Sequence, residues 1–381
     1  MRCELAVVGA GVAGSCAAFA AAKRGLRVML LEKKALPRYK LCGGAVTRKT
    51  LELLAGEGIR LPAKIFHEVG RIKIYIPGAE REMRVEEGSI LTTYRDTFDH
   101  ALAREAERAG AELLDESRVR RVVQAGDGFL IETTKGELRA RFLLGCDGVA
   151  SAVRRCLFGW SFPPGELGVA AEYEVPGLSV ESMEIHFGYA SFSYAWVFPK
   201  RDGATIGVAE LASRLQGGIF SRLERFASTL NYLSSPPEPK AHLIPMGGIR
   251  RKVALARAAL AGDAAGFVEP LSGEGTYYAA LSGIMGAQFA VRALSEGGDL
   301  LPYQRFCDRE LLPQLRAMLW LSRLFYFRQD FSYHLFKKSD LLLDVVTALA
   351  RGRPEPQQLL RRAIVSSARY LPGYLTAKLR G

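Results

Sequence analysis

The stretch of sequence that decides the fold runs from residue 5 to residue 32 and reads LAVVGAGVAGSCAAFAAAKRGLRVMLLE. An apolar run of strand length, residues 5–8, leads into a Gly-x-Gly-x-x-Gly pattern at residues 9–14. A small-residue stretch of helical character then extends to Gly25, and a second apolar run ends in Glu32. This order predicts one β–α–β unit whose helix ends at Gly25.

Each glycine of the pattern has a separate physical task. Gly9 permits a tight turn after the strand, Gly11 lets the backbone approach a pyrophosphate, and Gly14 lets the helix pack closely on the strand. The helix N-terminus adds unpaired N–H groups and the positive end of its dipole. Glu32 follows at about the offset typical of an acid that binds ribose hydroxyls. The unit therefore predicts dinucleotide binding, and the alternative is a plain crossover without a ligand.

Composition places the chain among globular proteins of more than one domain. It has 381 residues, 49% of them hydrophobic, and a net charge of +12. No uninterrupted apolar run is long enough to span a bilayer, and the first strand begins too early to leave room for a signal peptide. The six cysteines form no Cys-x-x-Cys pair, so we expect no metal site, no disulfide framework and a reducing, cytoplasmic location.

The last 81 residues, 301–381, carry 14 Lys and Arg against 6 Asp and Glu, which is +8 of the net charge. They have a helical pattern, with a helix predicted over 340–350 that Ser339 caps. One strongly apolar face is predicted from Leu315, Leu319, Trp320, Leu324, Phe325 and Phe327. Cations beside aromatic residues favour peripheral binding to the cytoplasmic membrane face over nucleic acid, for which no module is visible. The alternative is a helical cap over the core.

Two other predicted strands end in glycine-containing turns, at residues 147–148 and 262–266. Ligands of open α/β sheets bind beyond the carboxyl ends of the strands. One long cofactor that spans 9–14, 147–148 and 262–266 explains these turns better than three unrelated loops. A helix predicted over 277–294 follows Gly273 and Gly275 and would point its positive end at the same ligand.

Two segments near the first unit also indicate a ligand. Residues 33–50 are predicted to form a loop in which Cys42, Gly43 and Gly44 bring backbone close to a planar or anionic group; an ordinary surface loop is the alternative. Residues 93–96 resemble a capping box for a helix that ends near residue 108. Arg95 in its first turn opposes the helix dipole, which favours an anionic neighbour such as a cofactor over a solvated arginine.

A β-rich region begins with a hairpin at residues 72–85 and continues with strands between 169 and 210. Alternation along the strand around 193–198 places Tyr194, Trp196 and Phe198 on one face. They are candidates for the wall of a substrate site. A sheet face buried against a helix is the alternative.

These residues resemble the geranylgeranyl reductase family, flavoproteins of the para-hydroxybenzoate hydroxylase-like superfamily. The resemblance rests on the first glycine pattern with Glu32, on Lys40-x-Cys42-Gly43-Gly44, Arg95, Asp147-Gly148, 262–266, and Tyr194-x-Trp196-x-Phe198-Pro199 followed by Gly207. It extends from residue 1 to about residue 300, and the remainder matches only in character. Residues 267–271 differ from the chlorophyll-type members, which argues against a chlorophyll substrate.

The resemblance implies an α/β fold with a Rossmann-like FAD-binding domain, an inserted antiparallel β-sheet substrate domain and a helical C-terminal region. The expected FAD-binding domain comprises residues 1–70, 88–165 and 246–300. The expected substrate domain comprises 71–87 and 166–245, and the basic helical region comprises 301–381.

The resemblance also implies the roles of individual residues. Cofactor contacts are expected from Gly9, Gly11, Val12, Ala13, Gly14, Glu32, Lys33, Arg38, Cys42, Gly43, Ala45, Arg95, Val119, Asp147, Gly148, Gly262, Asp263, Gly273 and Gly275. Substrate contacts are expected from Tyr194, Trp196, Phe198, Pro199 and Gly207. Cys42, Gly43 and Gly44 are the expected catalytic segment, with Cys42 near the isoalloxazine as a positioning group or proton donor. A small buried filler is the alternative for Cys42.

The implied activity is the saturation of C=C bonds in geranylgeranyl or polyprenyl chains by hydride transfer from reduced FAD. The chain would be carried by an archaeal-type ether lipid, a prenyl diphosphate or a quinone. The donor is open between NADPH or NADH and reduced ferredoxin, because no second Gly-x-Gly-x-x-Gly domain is present. Three alternatives remain: an FAD monooxygenase or halogenase, an electron-transfer flavoprotein that reduces a membrane quinone, and a non-enzymatic flavoprotein at a membrane surface.

Overall fold

A computed structural model describes residues 1–233, 235–350 and 356–380. The strands in these residues are β1 (Arg2–Val8), β2 (Val28–Leu31), β3 (Ala45–Thr47), β4 (His67–Glu68), β5 (Arg71–Ile76), β6 (Ala79–Arg84), β7 (Ile90–Thr92), β8 (Glu112–Leu114), β9 (Val119–Ala125), β10 (Gly128–Thr133), β11 (Gly136–Gly145), β12 (Leu167–Pro176), β13 (Met183–His186), β14 (Ala195–Lys200), β15 (Gly203–Leu211), β16 (Lys240–Pro245) and β17 (Ala258–Leu260). The α-helices are α1 (Val12–Ala22), α2 (Arg48–Glu57), α3 (Arg95–Arg108), α4 (Ile219–Ala227), α5 (Thr276–Glu296), α6 (Leu301–Phe306), α7 (Leu312–Phe327), α8 (Gln329–Lys338), α9 (Leu341–Ala350) and α10 (Pro356–Arg380).

The first sheet contains the predicted β–α–β unit. Its strand order is β8-β2-β1-β11-β10-β9, with β17 paired to the end of β11. Helix α1 is buried along its whole length because its small residues let it fit between the sheet and α5. Val8 pairs with Gly145, and Gly145 pairs with Leu260 on β17. The parallel strands β1, β11 and β17 therefore end side by side, and their three glycine turns meet at one edge of the sheet.

The second sheet has the order β16-β12-β15-β14-β13-β5-β6. One of its faces packs on α4, through Val197, Ile206 and Val208. Trp196 and Phe198 occur in a different core cluster, which includes residues of α7 and α8. The predicted sharing of one face by Trp196 and Phe198 therefore agrees with the strand register.

A small third sheet, β3-β7-β4, connects the first two sheets. It corrects one expectation, because the loop that begins at residue 33 ends at Gly44 and gives way to β3 and then α2. The strand predicted to lead into the turn at 262–266 is also short. It is reduced to β17, with an isolated bridge between Ala254 and Ala259.

Two predicted helix caps are wrong. Helix α3 begins after Tyr94 without a side-chain cap, and the Thr93 hydroxyl instead donates to the Ile65 carbonyl at 2.8 Å. Ser339 donates to the Leu335 carbonyl at 2.9 Å, at the end of α8, rather than capping α9. Short hydroxyl side chains take whichever backbone acceptor the fold places beside them, and a sequence motif cannot show that acceptor.

The helices α7–α10 pack over the second sheet. The six apolar residues of α7 do not form one face: Leu315, Leu319 and Phe325 are buried. Trp320, Leu324 and Phe327 are instead exposed to 55%, 38% and 79%. Within the described residues, no helix is both long enough and apolar enough to cross a membrane.

Candidate active site

The three glycine turns open into one cleft between the first and second sheets. The cleft measures about 1360 Å³, including its mouth to solvent. Gly11, Gly148 and Gly273 lie on its wall. A Cβ atom would meet nothing within 4 Å at Gly148 or Gly273, and nothing closer than 3.6 Å at Gly11. These open positions at three strand ends fit a long ligand that lies against bare backbone.

The N-terminus of α1 forms the phosphate-sized end of this cleft, where Val12 and Ala13 join Gly11 in the wall. The other two glycines of the pattern have structural roles. A Cβ on Gly9 would come within 2.4 Å of the Cys146 carbonyl oxygen, and one on Gly14 within 1.8 Å of the Gly9 oxygen. At Gly11, by contrast, a Cβ would meet only the Arg38 guanidinium at 3.6 Å and the Asp99 carboxylate at 3.9 Å, so this position leaves the open approach that a pyrophosphate requires.

A buried chain of charges runs behind this turn. Glu32 accepts the Ala10 N–H at 3.1 Å and pairs with Arg38 at 3.2 Å. Arg38 also pairs with Asp99 at 3.0 Å. Asp99 in turn holds Arg95 through two hydrogen bonds of 2.8 and 3.1 Å.

The Arg95 side chain is therefore not solvated, and it already has an anionic partner within the protein. It is buried, and its partner is the carboxylate one turn along its own helix, Asp99. Burial acts to lower the pKa of the Arg95 guanidinium, but the charge of Asp99 and a contact with Cys42 raise it. Arg95 also reaches the wall of the cleft, so it remains a cation that a ligand can meet.

A second ion pair crosses the cleft. Lys40 lies 3.2 Å from the Asp263 carboxylate, which belongs to the third glycine turn. Burial would raise the pKa of Asp263, but Lys40 and Arg95 lower it overall. His242 on β16 lies nearby, and burial together with the Lys40 charge lowers its pKa to about 4. At neutral pH this part of the cleft holds a neutral imidazole and an ionised carboxylate.

Cys42 and Gly43 lie on the wall of the cleft, and Gly44 follows them outside that wall. Gly44 adopts a positive φ of +71° and its N–H donates to the Cys42 Sγ at 3.3 Å. A Cβ on Gly43 would come within 2.6 Å of the Phe198 ring. Gly43 is required because the Phe198 ring fills the space of a side chain there, and Gly44 is required because its φ is positive and the Thr93 carbonyl lies where its Cβ would be.

Tyr194, Trp196 and Phe198 form that wall. Tyr194 also ties the sheet to the third glycine loop, because its hydroxyl donates to the Ser272 carbonyl. The indole N–H of Trp196 is buried, and no partner occurs for it among the described residues. A buried donor without a partner on a cleft wall indicates that a polar atom of a ligand or a water belongs there.

The structure brings most of the predicted site residues into one place, and their roles stay predictions. Those on the cleft wall are Gly11, Val12, Ala13, Cys42, Gly43, Arg95, Gly148, Tyr194, Trp196, Phe198, Asp263, Gly273 and Gly275. Those outside the wall are Gly9, Gly14, Glu32, Lys33, Arg38, Gly44, Ala45, Val119, Asp147, Pro199, Gly207 and Gly262. Asp147, for example, accepts the N–H groups of Ala152 and Val153 at 2.6 and 3.3 Å and so shapes the turn at Gly148.

Sequence reasoning missed two buried charges beneath the Cys42 segment. Glu172 on β12 accepts the Cys42 N–H at 3.1 Å, and Lys200 on β14 donates to the Gly43 carbonyl. Their signal was present in the sequence, because each is a charged residue in or beside an otherwise apolar strand. Such residues are rarely buried without a partner. Among the residues described, His, Cys, Asp and Glu side chains form no group of three that could hold a metal ion.

A second cavity, of about 760 Å³ including space open to solvent, adjoins the cleft. Tyr194, Leu271 and Ser272 belong to the walls of both cavities. The rest of its wall comes from β13 and from helices α7–α10 and is almost entirely aliphatic and aromatic, including Phe187, Phe325, Leu335, Phe336, Leu342 and Val345. This cavity can accept a long hydrocarbon and offers very little to a polar ligand.

Comparison with known proteins agrees with this architecture. A family model described as an FAD binding domain matches residues 2–214. Digeranylgeranylglycerophospholipid reductase 2 of Methanopyrus kandleri is 32% identical, over 85% of this chain and 87% of that protein. Digeranylgeranylglycerophospholipid reductase 1 of Methanothermobacter thermautotrophicus is 30% identical, over 83% and 85%.

A solved structure shares the fold. The geranylgeranyl bacteriochlorophyll reductase-like protein of Thermoplasma acidophilum superposes with a TM-score of 0.78, over 97% of this chain and 99% of that chain, at 20% identity. The expected fold class is confirmed, as is FAD as the cofactor, which the open glycine positions and the α1 N-terminus fit. The protein is an FAD-dependent oxidoreductase, and the chain belongs to the geranylgeranyl reductase family of flavoproteins.

Proposed function

We propose that the protein saturates C=C bonds in the geranylgeranyl or polyprenyl chains of a lipid or prenyl substrate. The observation that carries the proposal is the apolar cavity that shares Tyr194, Leu271 and Ser272 with the cofactor cleft. An aliphatic chain that enters this cavity passes the aromatic wall before it reaches the Cys42 segment. The relatives named as digeranylgeranylglycerophospholipid reductases support the same substrate class.

The chemistry is divided between the cofactor and the chain. When bound and reduced, FAD supplies a hydride, which an isolated alkene accepts only when a carbon is held close and in line. Trp196 and Phe198 hold the alkene against the segment that carries Cys42. The buried wall excludes water, and Cys42 faces the same space, where its thiol positions the chain or delivers the proton.

We also propose that the FAD contacts, the division into domains and the external electron donor are as the sequence predicts. The first glycine turn, Glu32, Arg38 and Asp263 hold FAD, and the carboxylates of Glu32 and Asp263 are suited to accept hydroxyl hydrogen bonds. The FAD-binding and substrate regions are divided as the sequence predicts. An external donor, either NADPH or NADH or reduced ferredoxin, supplies the electrons.

The exposed apolar stripe of α7, defined here as Trp320, Leu324 and Phe327, supports a location at a membrane surface on the cytoplasmic side. Leu324 of this stripe also lies on the wall of the apolar cavity. Arg323 lies beside the stripe, with its guanidinium 5.4 Å from the Trp320 ring. Aromatic residues flanked by cations suit the interface of an anionic bilayer. In this arrangement a lipid chain enters the cavity directly from the membrane.

The test is a product assay without oxygen. The flavin-loaded protein is reduced chemically and incubated with digeranylgeranyl lipids, geranylgeranyl diphosphate and a prenylated quinone, and the products are weighed by mass spectrometry. The proposal predicts the gain of two hydrogen atoms for each reduced bond on at least one of them. Unchanged lipids, with turnover only after oxygen is admitted, would assign the protein to the monooxygenases instead.

A further inference from the structure

The two peptides on either side of the Cys42–Gly43 bond are each held by a buried charge from the second sheet. Glu172 on β12 is 2% exposed, and its Oε1 accepts the Cys42 N–H at 3.1 Å. Lys200 on β14 is 4% exposed, and its ammonium donates to the Gly43 carbonyl and, at 3.1 Å, to the Thr93 carbonyl. The carboxylate orients the Leu41–Cys42 peptide through its N–H and the ammonium orients the Gly43–Gly44 peptide through its C=O, so the backbone is held on both sides of the bond between Cys42 and Gly43.

The strand register makes room for this arrangement. Glu172 faces Gly207 on β15, and Gly207 faces Trp196 on β14. Because Gly207 has no side chain, the indole of Trp196 lies over it, between β14 and β12. Trp196 of the aromatic wall and Glu172, which holds the Cys42 segment, therefore lie at the same level of the sheet on either side of Gly207.

Burying these charges is expensive, and hydrophobic residues of similar size would stabilise such a site as well or better. Glu172 has a further cost, because its Oε2 is buried and no partner occurs for it among the described residues. Because the buried carboxylate of Glu172 lowers the stability of the fold, a role in the active site explains its presence better than a contribution to stability does.

We propose that Glu172 is a positioning residue that, together with Lys200, holds the Cys42 thiol in its place in the cleft. The chemical role of Cys42 rests on the proposed function. The hydrogen bonds with Glu172 and Lys200 that position the backbone around it do not depend on that function. Ionised Glu172 binds the Cys42 N–H through a charge-assisted hydrogen bond. When Glu172 takes up a proton, that bond weakens and the thiol becomes freer to move.

Several titratable and charged groups face Glu172 and set when this happens. They are Tyr39 on the loop that carries Cys42, Glu174 on β12, Lys200 on β14 and Lys240, which lies opposite Glu172 on the neighbouring strand β16. Burial raises the pKa of Glu172, while the Tyr39 hydroxyl, which donates to Oε1 at 2.8 Å, opposes that rise. Burial likewise lowers the pKa of Lys200.

The test measures how fast Cys42 reacts with iodoacetamide as a function of pH, in the full-length protein loaded with FAD. Cys156 is exposed and is replaced by Ser, while Cys3, Cys16, Cys146 and Cys307 are buried. Peptide mass spectrometry reports Cys42 alone. In this background the pH profile should contain an inflection from Glu172 in addition to that of the thiol.

Three variants make the assignment specific. Glu172→Ala should raise the rate roughly tenfold, because the charge-assisted bond is lost. Glu172→Gln keeps an oxygen for the Cys42 N–H but carries no charge, so at every pH it should react like the parent with Glu172 protonated, and its profile should lose the added inflection. Tyr39→Phe removes the hydroxyl that stabilises the carboxylate, so it should move the inflection to higher pH.

Flavin content and the visible flavin spectrum show which variants remain folded. If Glu172→Ala fails to fold, Glu172→Gln and Tyr39→Phe decide the matter. Equal rates and identical pH profiles in the parent, Glu172→Gln and Tyr39→Phe would overturn the proposal. The protein could also show the predicted changes in the pH dependence of Cys42 alkylation and yet reduce no prenyl lipid. That result would support the positioning role of Glu172 and contradict only the proposed function.

Discussion

Trp196 and Gly207 face each other on neighbouring strands, and the indole lies where a side chain of residue 207 would be. A Cβ atom on Gly207 would come within 2.1 Å of the Trp196 ring. The aromatic wall of the cleft therefore depends on a glycine that itself does not reach the cleft. This packing also places the indole next to Gly43. A Cβ on Gly43 would lie 3.3 Å from Trp196 Nε1.

Replacing Gly207 with Ala should push the indole of Trp196 into the cleft. We expect FAD content to stay near normal, whereas reduction of prenyl lipids falls by roughly tenfold or more, as misplacement near reacting groups typically costs. Gly70→Ala is the matched control, because a Cβ at this exposed glycine meets nothing within 4 Å. Equal loss of flavin and activity in Gly207→Ala would indicate a general folding defect and would contradict this account.

The glycines of the first turn should respond differently to substitution. Gly11→Val should fold but purify without yellow colour, because its Cβ would meet no protein atom closer than 3.6 Å and the side chain occupies the space for the pyrophosphate. Gly14→Val should instead lower the melting temperature sharply, because its Cβ would overlap the Gly9 backbone. Flavin absorbance per protein and thermal unfolding distinguish the two effects. A Gly11→Val protein that retains FAD would show that the cofactor does not lie over this turn.

The exposed stripe of α7 should determine membrane binding. Exchange of Trp320, Leu324 and Phe327 for Ser should weaken co-sedimentation with anionic vesicles at least roughly tenfold, because each large side chain contributes about 1.5–3 kcal/mol when buried. Added salt should weaken binding of the unchanged protein. Phe220→Ser, at an exposed apolar residue on α4, is the control. Binding that ignores both the three substitutions and the charge of the lipid would refute the membrane assignment.

Glu274, at the start of α5, should make the protein less stable as the pH rises. Burial raises its pKa from 4.5 to about 7 in the folded state. Between those values the folded protein binds more protons than the unfolded chain, so the contribution is complete below 4.5 and is lost as the pH rises through 7. Its side chain is partly exposed, so about 1–2 kcal/mol is expected.

Glu274→Gln keeps an oxygen for the Tyr277 N–H, which Glu274 binds at 2.7 Å, and removes the titration. Urea unfolding at about pH 5 and about pH 8 should show a smaller loss of stability in this variant than in the unchanged protein. Glu296→Gln, at the exposed far end of α5, should change nothing. The same pH dependence in all three proteins would show that Glu274 is ionised throughout.

The sequence was sufficient for features that depend on near neighbours. The first β–α–β unit, the hairpin at β5 and β6, and helix α5 are each determined by local spacing and turn residues. The shared face of Trp196 and Phe198 followed from strand alternation alone. The Arg95–Asp99 pair is also predictable from sequence, since the two residues are one helical turn apart, and it supplies the anion that the position of Arg95 in the helix favours.

The remaining features depend on contacts between distant parts of the chain. Glu172 is 130 residues from the Cys42 N–H that it holds, and no local pattern connects them. The apolar cavity is assembled by β13 and four helices, so neither its volume nor its link to the cleft through Tyr194 is visible in any one segment. Trp320 and Leu319 are neighbours in sequence, but only the packing of α7 shows that one is exposed and the other buried.

The most direct test of prenyl-chain reduction is the reoxidation of the bound flavin in the absence of oxygen. The protein is reduced until its yellow absorbance disappears and is then mixed rapidly with geranylgeranyl lipid, with a saturated lipid of equal length as the control. The account predicts that the yellow absorbance returns with the unsaturated lipid alone, together with loss of its double bonds. Flavin that stays reduced with both lipids and is reoxidised only by oxygen or by a quinone would contradict it.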